Sequence, residues 1–273
     1  MKNRIIFHSA MAALLLILFA LWPLDISAGD FIGSLQQDLL PVEPIVPEIF
    51  ATQAQTGSGR TADGMAVGAI GSSNHLMLYQ CRYNSVDWSG DVVASLARWE
   101  NNRLVLVAQQ WRAAEQFQSP GLDWRARRIV TFSRQGYECR GVPFRWDDLS
   151  VQQQIRLLGD IQAEIPDPSE GRELVAYLRG KPSTRFRHRN SQLGDIMNSI
   201  PVLAGRTLFV GANDGMLHAF DAYTGRERFA YIPNLVFGNL RRLGSADYHQ
   251  HPRYYVDAAP TVGQVLVSSR RRR

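Results

Sequence analysis

Three groups of residues in this chain have types and spacing that could do chemistry. The stretch GANDGMLHAFDAYTG, Gly211 to Gly225, places Asp214, His218 and Asp221 close together. Closely spaced carboxylates could ligate calcium, a cation that takes roughly six to eight oxygens. His249 and His251, in DYHQHPRYY, are two potential ligands for a softer metal. Cys81 and Cys139 are the only cysteines, and a bridge between them would close a long loop.

Each group also has a purely architectural reading. Asp214 is the second residue of an Asn-Asp-Gly turn, and Asp221 opens the Tyr-Thr-Gly turn that follows. Without a third oxygen-rich neighbour, two isolated carboxylates favour corners over calcium. His218 falls on the strand between them, where a histidine is commonly a packed or exposed strand residue. The loop around His249 and His251 is otherwise poor in ligands, which favours a loop packed on the face of the sheet structure. The cysteine spacing fits neither a zinc site nor a redox CxxC; one disulfide and two separate buried thiols both stand. Leu193-Gly194-Asp195 resembles a short integrin-binding tripeptide and reads as the lead-in to a strand. The sequence has no G-x-S-x-G, no HExxH and no phosphate-binding loop, so no catalytic residue is assigned.

The elements that must position these residues are mostly strands. His75–Asn84, Asp91–Trp99 and the run around Leu104 to Val107 are short apolar segments separated by polar turns, and RRIVTFSRQGYECRGVPFRW holds two more around Gln135-Gly136. TLFVGA, MLHAFDA and RERFAYIP are three consecutive strands, the size of a propeller blade, and YYVDAAPTVGQVLVSS reads as the start of a next blade. Trp88, Trp99, Trp111, Trp124 and Trp146 have the spacing of blade packing. Two helices interrupt the strands. Ser150 and Gln153 form a capping box ahead of Val151, Ile155 and Leu158 on one face, and SEGRELVAYLRGK ends at Gly180. The fold expected is mainly β, a partial β-propeller with two short helices inserted.

Composition narrows the function. Of 273 residues, 45% are hydrophobic and 20% charged, values of a globular chain. The net charge is +5, but four arginines sit in the terminal run Arg270 to Arg273, which leaves the body near balance and makes nucleic acid an unsupported partner. Lys2 and Arg4 precede the apolar run Ala10 to Trp22, and Ser27-Ala28-Gly29 follows: a signal peptide over 1–28 with cleavage after Ala28. The apolar run falls short of the about 20 residues that a membrane span needs, and no later segment reaches that length, so no transmembrane helix is expected after cleavage. Prolines 41, 44 and 47 and a Gly/Ser/Thr-rich run make 29–64 a linker; a partial propeller over 65–267 and a basic tail over 268–273 complete the expected organisation.

Family resemblance is specific from here. SQLGDIMNSIPVLAG, LFVGANDGMLHAFDAYTGRERFAYIPN and YYVDAAPTVGQV resemble the β-propeller domain of the PilC/PilY family, as do YNSVDWSGDVVA, RRIVTF, FRWDDLSVQQQ and LVAYLRG upstream; together they cover roughly 75–267. The resemblance implies an exported, non-enzymatic type IV pilus assembly and tip-adhesin protein, at the periplasm, outer-membrane surface or pilus tip. Minor pilins and the pilus machinery would be its partners, with a host or abiotic surface as the adhesion target. Members carry calcium in an Asp-rich loop that this sequence lacks, so no cofactor is expected here. The family's von Willebrand A-like domain is also absent, and the final SSRRRR departs from the family's strand sequence, which predicts a truncated copy. The alternative is a periplasmic quinoprotein-like dehydrogenase, whose blades carry D-A-x-T-G turns similar to Asp221 to Gly225.

Overall fold

The computed structural model describes residues 60–69, 75–101, 103–118, 123–135, 138–159 and 167–263, with side chains placed except at 60–69, 134, 135, 138 and 139. The expected signal peptide with Ala28, most of the linker and the basic tail lie outside these residues. Among the described residues, ten strands form two antiparallel-dominated sheets. The first has the order β1-β2-β3-β4, from Arg60–Ala69, His75–Asn84, Ser89–Glu100 and Arg103–Arg112. β1 starts at Arg60, inside the stretch expected to be linker.

The turns of this first sheet follow from local chemistry. Between β2 and β3, the Asn84 side chain accepts from Val86 N (2.9 Å), the Asn84 carbonyl accepts from Trp88 N (2.8 Å), and Trp88 takes φ 55°. Asn101, at φ 49°, turns β3 into β4; asparagine tolerates the left-handed region better than most residues. β4 is an edge strand, and Val105, Leu106 and Val107 on it are exposed.

The second sheet has the order β6-β5-β10-β9-β8-β7. Val202–Ala204, Thr207–Ala212, Met216–Asp221 and Glu227–Ile232 (β7 to β10) form a four-strand antiparallel meander. Ile129–Gln135 (β5) joins β10 in parallel, and Glu138–Pro143 (β6) pairs outside it. Every residue of β8 and β9 is buried, which their near-continuous apolar sequences allow. The two sheets meet over a core in which Tyr79, Cys81 and Val92 face Leu208, Val210 and Phe220. The other side of the meander is covered by α2 (Val151–Leu158), α3 (Pro168–Leu178) and α4 (Phe237–Leu240), through Leu157, Leu174, Leu178 and Phe237. A short helix, α1 (Ala113–Gln118), continues directly from β4.

The mainly β reading is correct, as two open sheets; the described residues close no ring of blades. Three details differ from expectation. The capping box at Ser150 and Gln153 is present, but the buried positions of α2 are Gln153, Leu157 and Leu158, and Val151 is exposed. Gln153 can occupy an inward position because its amide donates to Phe132 O (3.0 Å) and Asn234 Oδ1 (2.7 Å). Tyr254 to Gly263 is irregular rather than the first strand of a next blade. Its amide at Tyr255 is used by Asn213 Oδ1 (2.9 Å), and the Val256 carbonyl presses on Gly211, where a Cβ would come within 2.3 Å. Trp111 and Trp146 are core residues, whereas Trp99 is exposed.

Candidate functional site

The Asn213-Asp214-Gly215 turn joins β8 to β9, with Gly215 at φ 90°. β9 then carries His218 inward, and β10 begins with Glu227 beside it. His218 is fully buried, with Nε2 3.0 Å from Asp214 Oδ2 and Nδ1 2.8 Å from Glu227 Oε1. Both ring nitrogens therefore face carboxylates, which requires both to donate, and the imidazole is an imidazolium. Burial alone would lower its pKa; the Asp214 and Glu227 carboxylates outweigh burial and raise it to about 9.

Arg127 completes the network from the loop ahead of β5. Its Nε and Nη2 donate to the two oxygens of Glu227 at 2.7 and 2.8 Å, a bidentate pair with both side chains buried. Burial raises the Glu227 pKa, but Arg127 and His218 reverse this and bring it down to about 2. Asp214 is held below its ordinary value in the same way, against burial, by His218, by a bond from Gly194 N (3.2 Å) and by Arg127. Two cations and two anions thus meet in one buried, mutually paired cluster. Phe220 stacks on His218 (5.5 Å, 8° between planes), and Phe117 lies edge-on to it and under the Arg127 guanidinium.

Arg179, just past α3, extends the arrangement. It donates to the carbonyls of Phe144, Trp124, Arg125 and Arg127, while Arg127 Nη1 donates back to Arg179 O (2.8 Å). Burial and the neighbouring Arg127 lower its pKa to about 10, so it stays charged at neutral pH. Its role is to gather the free carbonyls of the loop that delivers Arg127.

Beside this network lies a second acidic cluster. Asp195 is buried and accepts from Asn213 Nδ2 (2.7 Å), which also reaches Asp257 Oδ1 (3.3 Å). Burial is the main cause that raises the Asp195 pKa to about 6, with Asp257 and Asp214 adding to it against the Asn213 hydrogen bond. Leu193-Gly194-Asp195 is thus a seam between sheets, not a displayed tripeptide. Leu193 O accepts from Gly90 N (3.0 Å), Gly194 bridges Ser89, and Asp195 O accepts from Asn213 N (3.0 Å).

The sequence candidates can now be placed. Asp221 accepts from Tyr223 N, Thr224 N and Thr224 Oγ1 with one oxygen, and from Arg206 and Arg228 (2.9 Å each) with the other. Calcium at Asp214 or Asp221 would have to displace cationic and N–H donors that already occupy their oxygens, so these residues do not fit it. Among the described residues no group of three or more His, Cys, Asp and Glu could hold a metal ion. His249 and His251 are exposed on a chain of turns; the His249 carbonyl accepts from Trp88 Nε1 (3.2 Å). Cys81 is a free, buried thiol whose pKa burial and Asp91 push up; the side chain of Cys139, on β6 of the other sheet, lies outside the described residues. Sequence reasoning missed Arg127, Glu227 and Arg179, because the Arg127–Glu227 pair spans 100 positions and no local spacing links it.

Fold and site together define a mainly β protein in which a β-meander is locked to its neighbours by a buried ionic network. Neither a family model nor a solved structure matches the chain. Curated relatives do. The type IV pilus biogenesis factor PilY1 of Pseudomonas aeruginosa PAO1 is 36% identical over 160 residues, 45% of this chain and 13% of that protein. PilY1 of P. aeruginosa UCBPP-PA14 is 29% identical over 296 residues, 91% of this chain and 24% of that protein. A PilY1 homolog of Xylella fastidiosa Temecula1 is 29% identical over 218 residues, covering 64% of this chain and 13% of its own length. The chain is thus similar to PilY1 factors over most of its length. It spans a quarter or less of their lengths.

Proposed function

We propose that this chain is a component of type IV pilus biogenesis that acts by binding rather than by catalysis. The observation that carries the reading is the similarity of 91% of the chain to a PilY1 factor. The structure is compatible with it: the acidic residues and the histidine of the most patterned stretch are used up in holding strands together. On this reading the protein is exported, its meander is one blade of a propeller, and loops and sheet edges engage minor pilins and a surface. It works without a bound cofactor of its own.

The dehydrogenase reading has less support, since the D-A-x-T-G turn it rests on is pinned by Arg206, Arg228 and Trp111, whose Nε1 donates to Ala222 O (3.0 Å). The test is genetic. Deleting the gene in its own host should reduce surface pili and twitching, and restoring the chain should recover both. Unchanged piliation and twitching after deletion would remove the proposal.

A further inference from the structure

A basic depression lies at the end of α2, away from the ionic network. It is lined by Leu158 and Gly159 at the C-terminus of that helix, by residues of the segment Gly238 to Asp247, and by Phe186 and Arg253. Its lining includes three arginines, Arg241, Arg242 and Arg253, and one carboxylate, Asp247. Arg241 is held in place, donating to Leu158 O (2.6 Å) and pairing with Glu170 (2.6 Å). Arg253 donates to Asn239 Oδ1 (3.1 Å). Arg242 is exposed, and its guanidinium makes no hydrogen bond or ion pair to a described residue.

The surface between these charges is open backbone. A Cβ placed on Gly159 or on Gly238 would meet nothing within 4 Å, whereas Gly244 presses directly on the Phe186 ring. The depression thus combines part of Phe186, open peptide groups and the guanidinium groups of Arg242 and Arg253, neither of which forms an ion pair with a described carboxylate. Guanidinium recognises carboxylates in a bidentate geometry, and an extended peptide can offer carboxylates on either side of an apolar side chain.

We propose that this depression is a docking site for an extended acidic peptide segment of a partner protein, with Arg242 and Arg253 binding its carboxylates and Phe186 its apolar residue. Such a site draws on charge complementarity, so binding weakens as salt rises.

The test is fluorescence anisotropy of the full chain with a labelled peptide Asp-Leu-Glu-Asp-Phe-Glu, beside its Asn/Gln counterpart. The acidic peptide should bind, and the neutral one should bind at least tenfold more weakly. Arg242→Glu with Arg253→Glu should weaken acidic-peptide binding at least tenfold, and the milder Arg242→Gln with Arg253→Gln should fall between. Arg140→Glu, an exposed arginine on β6, should stay within twofold of the parent. All these proteins keep the terminal arginines 270–273, so binding by that tail would leave the double variants unchanged and overturn the proposal. Equal binding of the neutral peptide would overturn it, as would full displacement of the acidic peptide by inorganic phosphate at the peptide's own concentration, which would mark a small-anion site instead.

Discussion

His218 and Asp214 lie four positions apart yet meet across the β8–β9 turn, Nε2 to Oδ2 at 3.0 Å, with Glu227 closing on the other ring nitrogen at 2.8 Å. This makes a protonated histidine part of the folded state. Its pKa rises from an ordinary 6.5 to about 9, so the stability it contributes is complete below about pH 6.5 and is lost as pH rises through 9. Urea titrations at pH 6, 8 and 9.5 should show unfolding free energy falling by about 2–3 kcal/mol across this window. In His218→Phe that slope should vanish; an equal slope in the variant would place its origin elsewhere.

Arg127 and Glu227 supply the second half of the network. Arg127→Met leaves the buried Glu227 carboxylate with His218 as its remaining cationic partner and should cost about 3–5 kcal/mol. Arg127→Met combined with Glu227→Met should cost less than the sum of the two single changes, because no unpaired charge remains from the pair. A double-mutant cycle by chemical denaturation measures the difference.

Asp195 works in the opposite direction. Its folded pKa of about 6 lies above the ordinary 3.8, so its favourable contribution exists below about pH 3.8 and is lost as pH rises through 6. Asp195→Asn keeps an acceptor for Asn213 and removes the buried charge. The variant should be more stable than the parent at pH 7.5, by about 1–3 kcal/mol, and equal to it near pH 4. Thermal melts at the two pH values separate these outcomes.

Gly194 is fixed by contact rather than by φ. A Cβ there would stand 2.3 Å from Asp214 N, and one on Gly90 would stand 1.9 Å from Gly194 O. Gly194→Ala should therefore force the two sheets apart and cost about 3 kcal/mol. Gly159→Ala, with open space around it but φ 74°, should cost only the left-handed backbone penalty of about 1 kcal/mol. Comparing their denaturation midpoints distinguishes crowding from backbone strain.

Local rules were enough to read most strands, the Ser150 capping box and both turns of the GANDGMLHAFDAYTG stretch, since alternation, caps and turn residues act over a few positions. The residues of SQLGDIMNSIPVLAG and LFVGANDGMLHAFDAYTGRERFAYIPN were also enough to point to PilY1-like proteins. What the acidic and imidazole groups do was beyond that reach. Asp214 reads as a corner, and it is one, but it is also an anion paired with His218, and the cations that make its burial tolerable come from a distant loop. Arg127 finds Glu227 only because β5 docks in parallel against β10, a pairing between strands far apart in sequence. Likewise, the inward turn of Gln153 and the irregular path of Tyr254 to Gly263 depend on acceptors supplied by other elements. Local sequence patterns were enough for most of the elements and for the similarity to PilY1 factors, though not for β1 or for the irregular path of Tyr254 to Gly263. Tertiary structure alone decided which charges neutralise one another, because that balance depends on distance and burial between residues that no local pattern connects.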